Sequence, residues 1–117
     1  MQEITYENVI ERLLQTVPEF QADDEDVADQ RGTLVFEDLT RFLKMLVETN
    51  EKPELITTIF QFVEEAARSS DARVLDAIRY SFLEGLADSP YHLDLTKKYM
   101  GSQTRKLLKD AKRYLRT

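Results

Sequence analysis

TLVFEDLTRFLKMLVETN, residues 33–50, carries the period of an amphipathic helix. Wound at 100° per residue, Val35, Phe36, Leu39, Phe42, Leu43, Leu46 and Val47 fall within an arc of roughly 140°, the width of a core-facing stripe. Glu37, Arg41, Lys44 and Glu48 fall opposite. The spacing predicts i,i+4 pairs of Glu37 with Arg41 and of Lys44 with Glu48, each adding about 0.3 kcal/mol. Thr33, after the breaker Gly32, is the expected N-cap.

The same period recurs on either side. Residues 6–17 predict a helix with Tyr6, Val9, Ile10, Leu13, Leu14 and Val17 inward, Thr5 as cap and Pro18 as stop. Phe20 is expected to fold back as an anchor. Pro53 suits the first turn of a helix over 53–68, with Leu55, Ile56, Ile59, Phe60, Phe62, Val63, Ala66 and Ala67 on one face. Residues 72–87 predict the widest apolar face, from Val74, Leu75, Ala77, Ile78, Phe82 and Leu86, with Leu83 outside its arc. Residues 91–100 predict a short helix with Gly101 as C-cap. Over 103–116, Leu107, Leu108, Ala111, Tyr114 and Leu115 oppose Arg105, Lys106, Lys109, Lys112, Arg113 and Arg116. Strand patterning is nearly absent, and the connections are short. The expected fold is all-α: a single domain over 1–117, a bundle of five to six antiparallel helices, with HEAT-like stacking of helix pairs as the other arrangement.

Composition narrows the function. The chain has 117 residues, 42% hydrophobic and 32% charged, as in soluble globular proteins. Its N-terminus lacks the pattern of a secretory signal, no apolar run approaches a membrane span, and there is no cysteine. These features fit a cytoplasmic protein without thiolate metal sites. Net charge is −6, unevenly spread. Residues 1–96 hold 8 basic and 21 acidic side chains, a balance of −13, and residues 97–117 hold 8 basic and 1 acidic, a balance of +7. Such a surface repels phosphate backbones and favours a basic protein as partner.

The acidic charge concentrates in the 21–32 loop, at Asp23, Asp24, Glu25, Asp26 and Asp29. With Asp24 and Asp26 at the first two ligand positions, an EF-hand would need a glycine at Asp29 and a glutamate at Val35, so calcium is not expected. A solvated charge run is the plain reading. The functional one is an electrostatic lure for a basic partner, assisted by Glu37 and Asp38. The basic helix within 102–117 reads as a solvated face that balances the acidic body. It lacks the aromatic partners expected of an RNA or membrane binder. His92, the single histidine, reads as exposed and polar. No zinc pair, phosphate loop or nucleophile elbow occurs, so no catalytic, cofactor or metal residue is assigned.

Four short motifs carry a family resemblance: Pro18-Glu19-Phe20, Phe36-Glu37-Asp38-Leu39, Phe60-Gln61-Phe62-Val63-Glu64 and Ser81-Phe82-Leu83-Glu84. Over residues 6–88 the chain resembles small all-helical bacterial immunity proteins found beside polymorphic toxin or contact-dependent inhibition loci. That resemblance implies a non-enzymatic inhibitor of one cognate toxin domain, a basic one such as a nuclease. The other reading is a helical adaptor that takes a partner helix or forms a homodimer.

Overall fold

The structure, a computed structural model, describes residues 3–23 and 32–115. Its order is α1 (Val9–Thr16), α2 (Pro18–Asp23), α3 (Gly32–Thr49), α4 (Pro53–Ala66), α5 (Ala72–Ala77), a π turn (Ile78–Leu83), α6 (Glu84–Ala87), α7 (Pro90–Thr96), a 3-10 turn (Lys97–Tyr99) and α8 (Ser102–Leu115). The fold is all-α, with no strand among the described residues. The principal extents of 34 × 33 × 23 Å and radius of gyration of 13.1 Å describe a rounded bundle rather than an elongated stack. No described helix is long and apolar enough to cross a membrane.

All seven inward residues of α3 and all eight expected of α4 and its end are buried. Phe36 and Phe60 each meet Phe82 edge-on, with centroids 6.3 and 5.9 Å apart. That geometry suits the ring quadrupoles and adds to the area these rings remove from water. Phe20 is buried against Phe42 at 5.5 Å, which docks α2 on α3.

The stretch 72–87 runs without a break but not as a plain α-helix. At its centre the Glu84 N–H reaches back five residues, to the Arg79 carbonyl. With α winding throughout, the buried positions Val74, Ala77, Ile78, Ser81, Phe82, Leu83 and Leu86 would spread over roughly 240°. Winding 78–83 at the roughly 82° per residue of an i→i+5 turn gathers them into about 160°. Leu83, outside the expected arc, is thereby fully buried. The Thr40 hydroxyl lies 2.8 Å from its own helix's Phe36 carbonyl and 3.3 Å from the Ser81 carbonyl of the π turn. A Cβ on Gly85 would stand 3.1 Å from the Thr40 methyl, so glycine permits this close crossing.

Several local expectations are corrected. Residues 6–8 form a turn rather than the start of α1, and Asn8, not Thr5, holds the N-cap position. Its side chain accepts the Thr5 N–H at 2.8 Å, while the Tyr6 N–H is taken by Asp71. Pro18 opens α2 as well as ending α1, so the acidic loop does not start at 21. The i,i+4 ladder on α3 is not the one that forms: Arg41 pairs with Asp38, and Glu48 with His92. Gly101 does not cap a helix through a left-handed φ, since no glycine has one. A Cβ there would run into the Glu64 carboxyl group.

Candidate protein-binding face

Two sets of charges serve the fold itself. Glu64, near the end of α4, accepts the Gln103 N–H at 3.0 Å, the Thr104 N–H at 2.9 Å and the Thr104 hydroxyl at 2.8 Å. It fills, from another helix, the role of a cap for the orphan N–H groups of α8. Burial pushes its carboxyl up, but the Thr104 and Gln103 N–H groups outweigh that, and it lies below the ordinary range. Asp71 caps α5 through the Arg73 N–H at 3.0 Å and clasps the N-terminal segment through the Tyr6 N–H at 2.9 Å. Beside it the Ser69 hydroxyl donates to the Ile4 carbonyl at 2.6 Å, and Ser70 N–H to Glu3. Arg73 bridges Asp71 and Glu7 and covers the Tyr6 ring at 4.9 Å. The Arg73 guanidinium and the Tyr6 N–H hold Asp71 down at about 2.

A third link corrects the reading of His92, whose side chain is only 13% exposed. Its Nδ1 lies 2.6 Å from Ser89 Oγ, and its Nε2 2.8 Å from Glu48 Oε1. With the ring neutral, Nε2–H donates to the carboxylate and Nδ1 accepts from the hydroxyl, which satisfies both contacts. The chain Ser–His–Glu has the order of a hydrolytic relay. Pro90, however, removes the N–H that would follow the nucleophile as an oxyanion donor. The link holds the start of α7 against the end of α3.

Beside this link lies a surface that the fold leaves bare. Seven consecutive residues from Glu48 to Glu54 are exposed and form a ridge across the α3–α4 turn. Asn50 adopts φ 53°, and Pro53 opens α4, so the turn is stiff and set in advance. On one flank a groove of about 370 Å³ is floored by Phe42, Met45, Leu46 and Leu55 and rimmed by Glu19, Glu51 and Lys52. On the other flank a groove of about 220 Å³ lies among Val47, Ile56, Tyr91, Leu95 and Tyr99, with Glu48 and Lys98 at its edge. Met45, Tyr91 and Leu95 are 50%, 60% and 38% exposed. They are three of the four large hydrophobic side chains that are exposed among the described residues. Exposed apolar side chains rimmed by charge mark an interaction surface, and Tyr and Met are enriched in such surfaces.

Of the acidic residues singled out in the sequence, Glu37 and Asp38 line neither groove. Glu37 is exposed on α3, about 12 Å along the helix from Met45. Asp38 is engaged by Arg41. Asp23 is the last residue of α2, and Asp24, Glu25, Asp26 and Asp29 lie outside the described residues. The acids of the face are instead Glu19, Glu48, Glu51 and Glu54. Two signals for it stand in the sequence: glutamates every third residue across the Asn50–Pro53 break, and Tyr91 with Leu95 at i,i+4. No cluster of three or more His, Asp or Glu able to hold a metal occurs among the described residues.

The profile of a family described as a domain of unknown function, DUF7674, matches residues 10–116. The chain belongs to that family. The DUF7674 span takes in the ridge, both grooves, the Glu64 cap and all of α8, while Glu3, Ile4, Tyr6 and Glu7 of the clasp precede it. No curated protein and no solved structure matches the chain.

Proposed function

We propose that this DUF7674 protein is a non-enzymatic binding protein that neutralises a cognate bacterial toxin, seating a basic surface of it on the ridge between α3 and α4. One observation carries the reading: an exposed turn with Glu48, Glu51 and Glu54 runs between an apolar groove that exposes Met45 and a mixed polar and apolar groove that exposes Tyr91 and Leu95. Aromatic and Met side chains would anchor the partner, and a ridge already in shape costs little ordering on binding. The acids would steer a basic partner and make its association salt-dependent. The family resemblance of the four motifs supplies the toxin class, a basic domain such as a nuclease. The Met45 groove, open along α2 and α3, also favours the adaptor reading, in which it takes a partner helix.

The test is capture from the native lysate with three tagged proteins: the native chain, a ridge variant (Glu51→Lys with Glu54→Lys) and a groove variant (Tyr91→Ser with Leu95→Ser). The expected result is one stoichiometric basic protein held by the native chain, shed as salt rises, and missing from both variants. Its toxicity in cells should vanish when the native chain is co-expressed. A captured protein held equally by all three places the binding face elsewhere, and toxicity that co-expression leaves intact rejects the immunity role.

A further inference from the structure

Helix α8 carries a cationic stripe that the fold leaves largely unused. At 100° per residue, Arg105, Lys106, Lys109 and Lys112 fall within roughly 120° of its circumference. Arg105 is spent on the preceding turn, donating to the Met100 and Lys97 carbonyls at 3.1 and 2.9 Å. Lys106, Lys109 and Lys112 have no acidic partner among the described residues; the first two are exposed and Lys112 is half-buried. The one acid of the helix, Asp110, turns aside to Arg79 at 3.5 Å. The apolar side of α8, with Leu107, Leu108 and Ala111, is buried, so no greasy face is left to enter a lipid surface. The acidic balance of residues 1–96 opposes a nucleic acid.

The charge that complements this stripe is on the same chain but out of its reach. α8 packs on α4, α6 and the π turn, whereas the ridge belongs to the opposite end of α4. Glu64, which holds the start of α8, is about 15 Å along α4 from Glu54. We propose that the stripe docks on the acidic ridge of a second copy of this chain, head to tail. Lys106, Lys109 and Lys112 of one copy face Glu48, Glu51 and Glu54 of the next, each set repeating every third residue. Such a contact joins two different surfaces, so the two end copies each keep one face free, and the assembly grows or closes into a ring. Made of exposed charges, it dissolves as salt rises. It covers the ridge to which the toxin is assigned above, so self-assembly competes with a foreign partner. The inference stands on the charges of the two faces and is independent of that partner's identity.

Sedimentation velocity on the native chain tests it, in about 20 mM against about 500 mM salt, where screening falls within a few ångströms. The expected result is mass that grows with protein concentration in low salt and falls to the monomer in high salt. Two neutralised variants sharpen the test: Lys106→Gln with Lys109→Gln and Lys112→Gln, and Glu51→Gln with Glu54→Gln. Each alone is expected to associate at least about tenfold more weakly than the native chain. Mixed in low salt, they should form a 1:1 dimer that grows no further, since each lends the other its one intact face. Circular dichroism checks that both are folded. A native chain monomeric in low salt, assembly that persists in both variants, or a mixture that stays monomeric while the native chain assembles would each overturn the proposal.

Discussion

The two ends of α4 use the same residue types in opposite ways. At its C-terminal end Glu64 is shut in by Gly101, Gln103 and Thr104, and each of its oxygens meets a donor of α8. A turn earlier, Phe60 stacks on Tyr99 at 6.0 Å. At its N-terminal end Glu51 and Glu54 are exposed, beside the Met45 and Tyr91 grooves. A carboxylate whose oxygens are matched by buried donors belongs to the fold. One exposed on a stiff turn beside uncovered aromatic surface is available to a partner. The difference lies in the partners each side chain has, not in its chemistry.

Substitutions should separate the two ends by stability first. Phe60→Ala removes a fully buried ring and should cost about 3–5 kcal/mol in denaturant unfolding. A loss under about 1 kcal/mol would mean that this end is not packed as described. Glu64→Ala orphans the Gln103 and Thr104 N–H groups and should cost about 1–3 kcal/mol. Amide exchange in the first turn of α8 should quicken at the same time, and unchanged exchange there would break the account of the cap.

Acid titration offers a smaller effect with a definite sign. Asp71 titrates at about 2, below the ordinary 3.8, because the Arg73 guanidinium and the Tyr6 N–H bind its charged form. Its folded value is the lower one, so its contribution is complete above the ordinary value and fades as pH falls from about 4 towards about 2. Asp71→Asn should therefore be less stable than the native chain at neutral pH and lose less on acidification through that window. Parallel acid limbs for the two proteins would contradict the clasp. Smallest of all, Glu51→Gln at the open end should change stability by no more than about 0.5 kcal/mol while weakening capture of the partner. A large loss of stability would show that the ridge is structural after all.

The core was legible in the sequence because helical burial is periodic. Val35 to Val47 and Leu55 to Ala67 repeat at the helical spacing, and the whole of both sets is inside. Leu83 was not legible, because its place depends on one turn wound with an extra residue, which single-period reading cannot supply. Nor were the ties of Glu64 to Thr104 and of Glu48 to His92, which span 40 and 44 residues and exist only once helices have docked. The proposed face differs from the acidic run for a related reason. Charge density pointed to Asp23–Asp29, whereas a docking face also needs apolar side chains left uncovered. Which of Tyr80, Tyr91, Tyr99 and Leu95 stays uncovered is settled by how α7 and the π turn pack, with Tyr99 drawn onto Phe60 and Tyr91 left outside.

The claim that the open end of α4 is the binding face is met most directly by amide hydrogen exchange on the complex with the captured partner. The account predicts new protection across residues 45–55 and 91–98, with α8 and the clasp at residues 69–73 unchanged. Protection confined to α8 or to the clasp, with the ridge exchanging as fast as in the free protein, would contradict it.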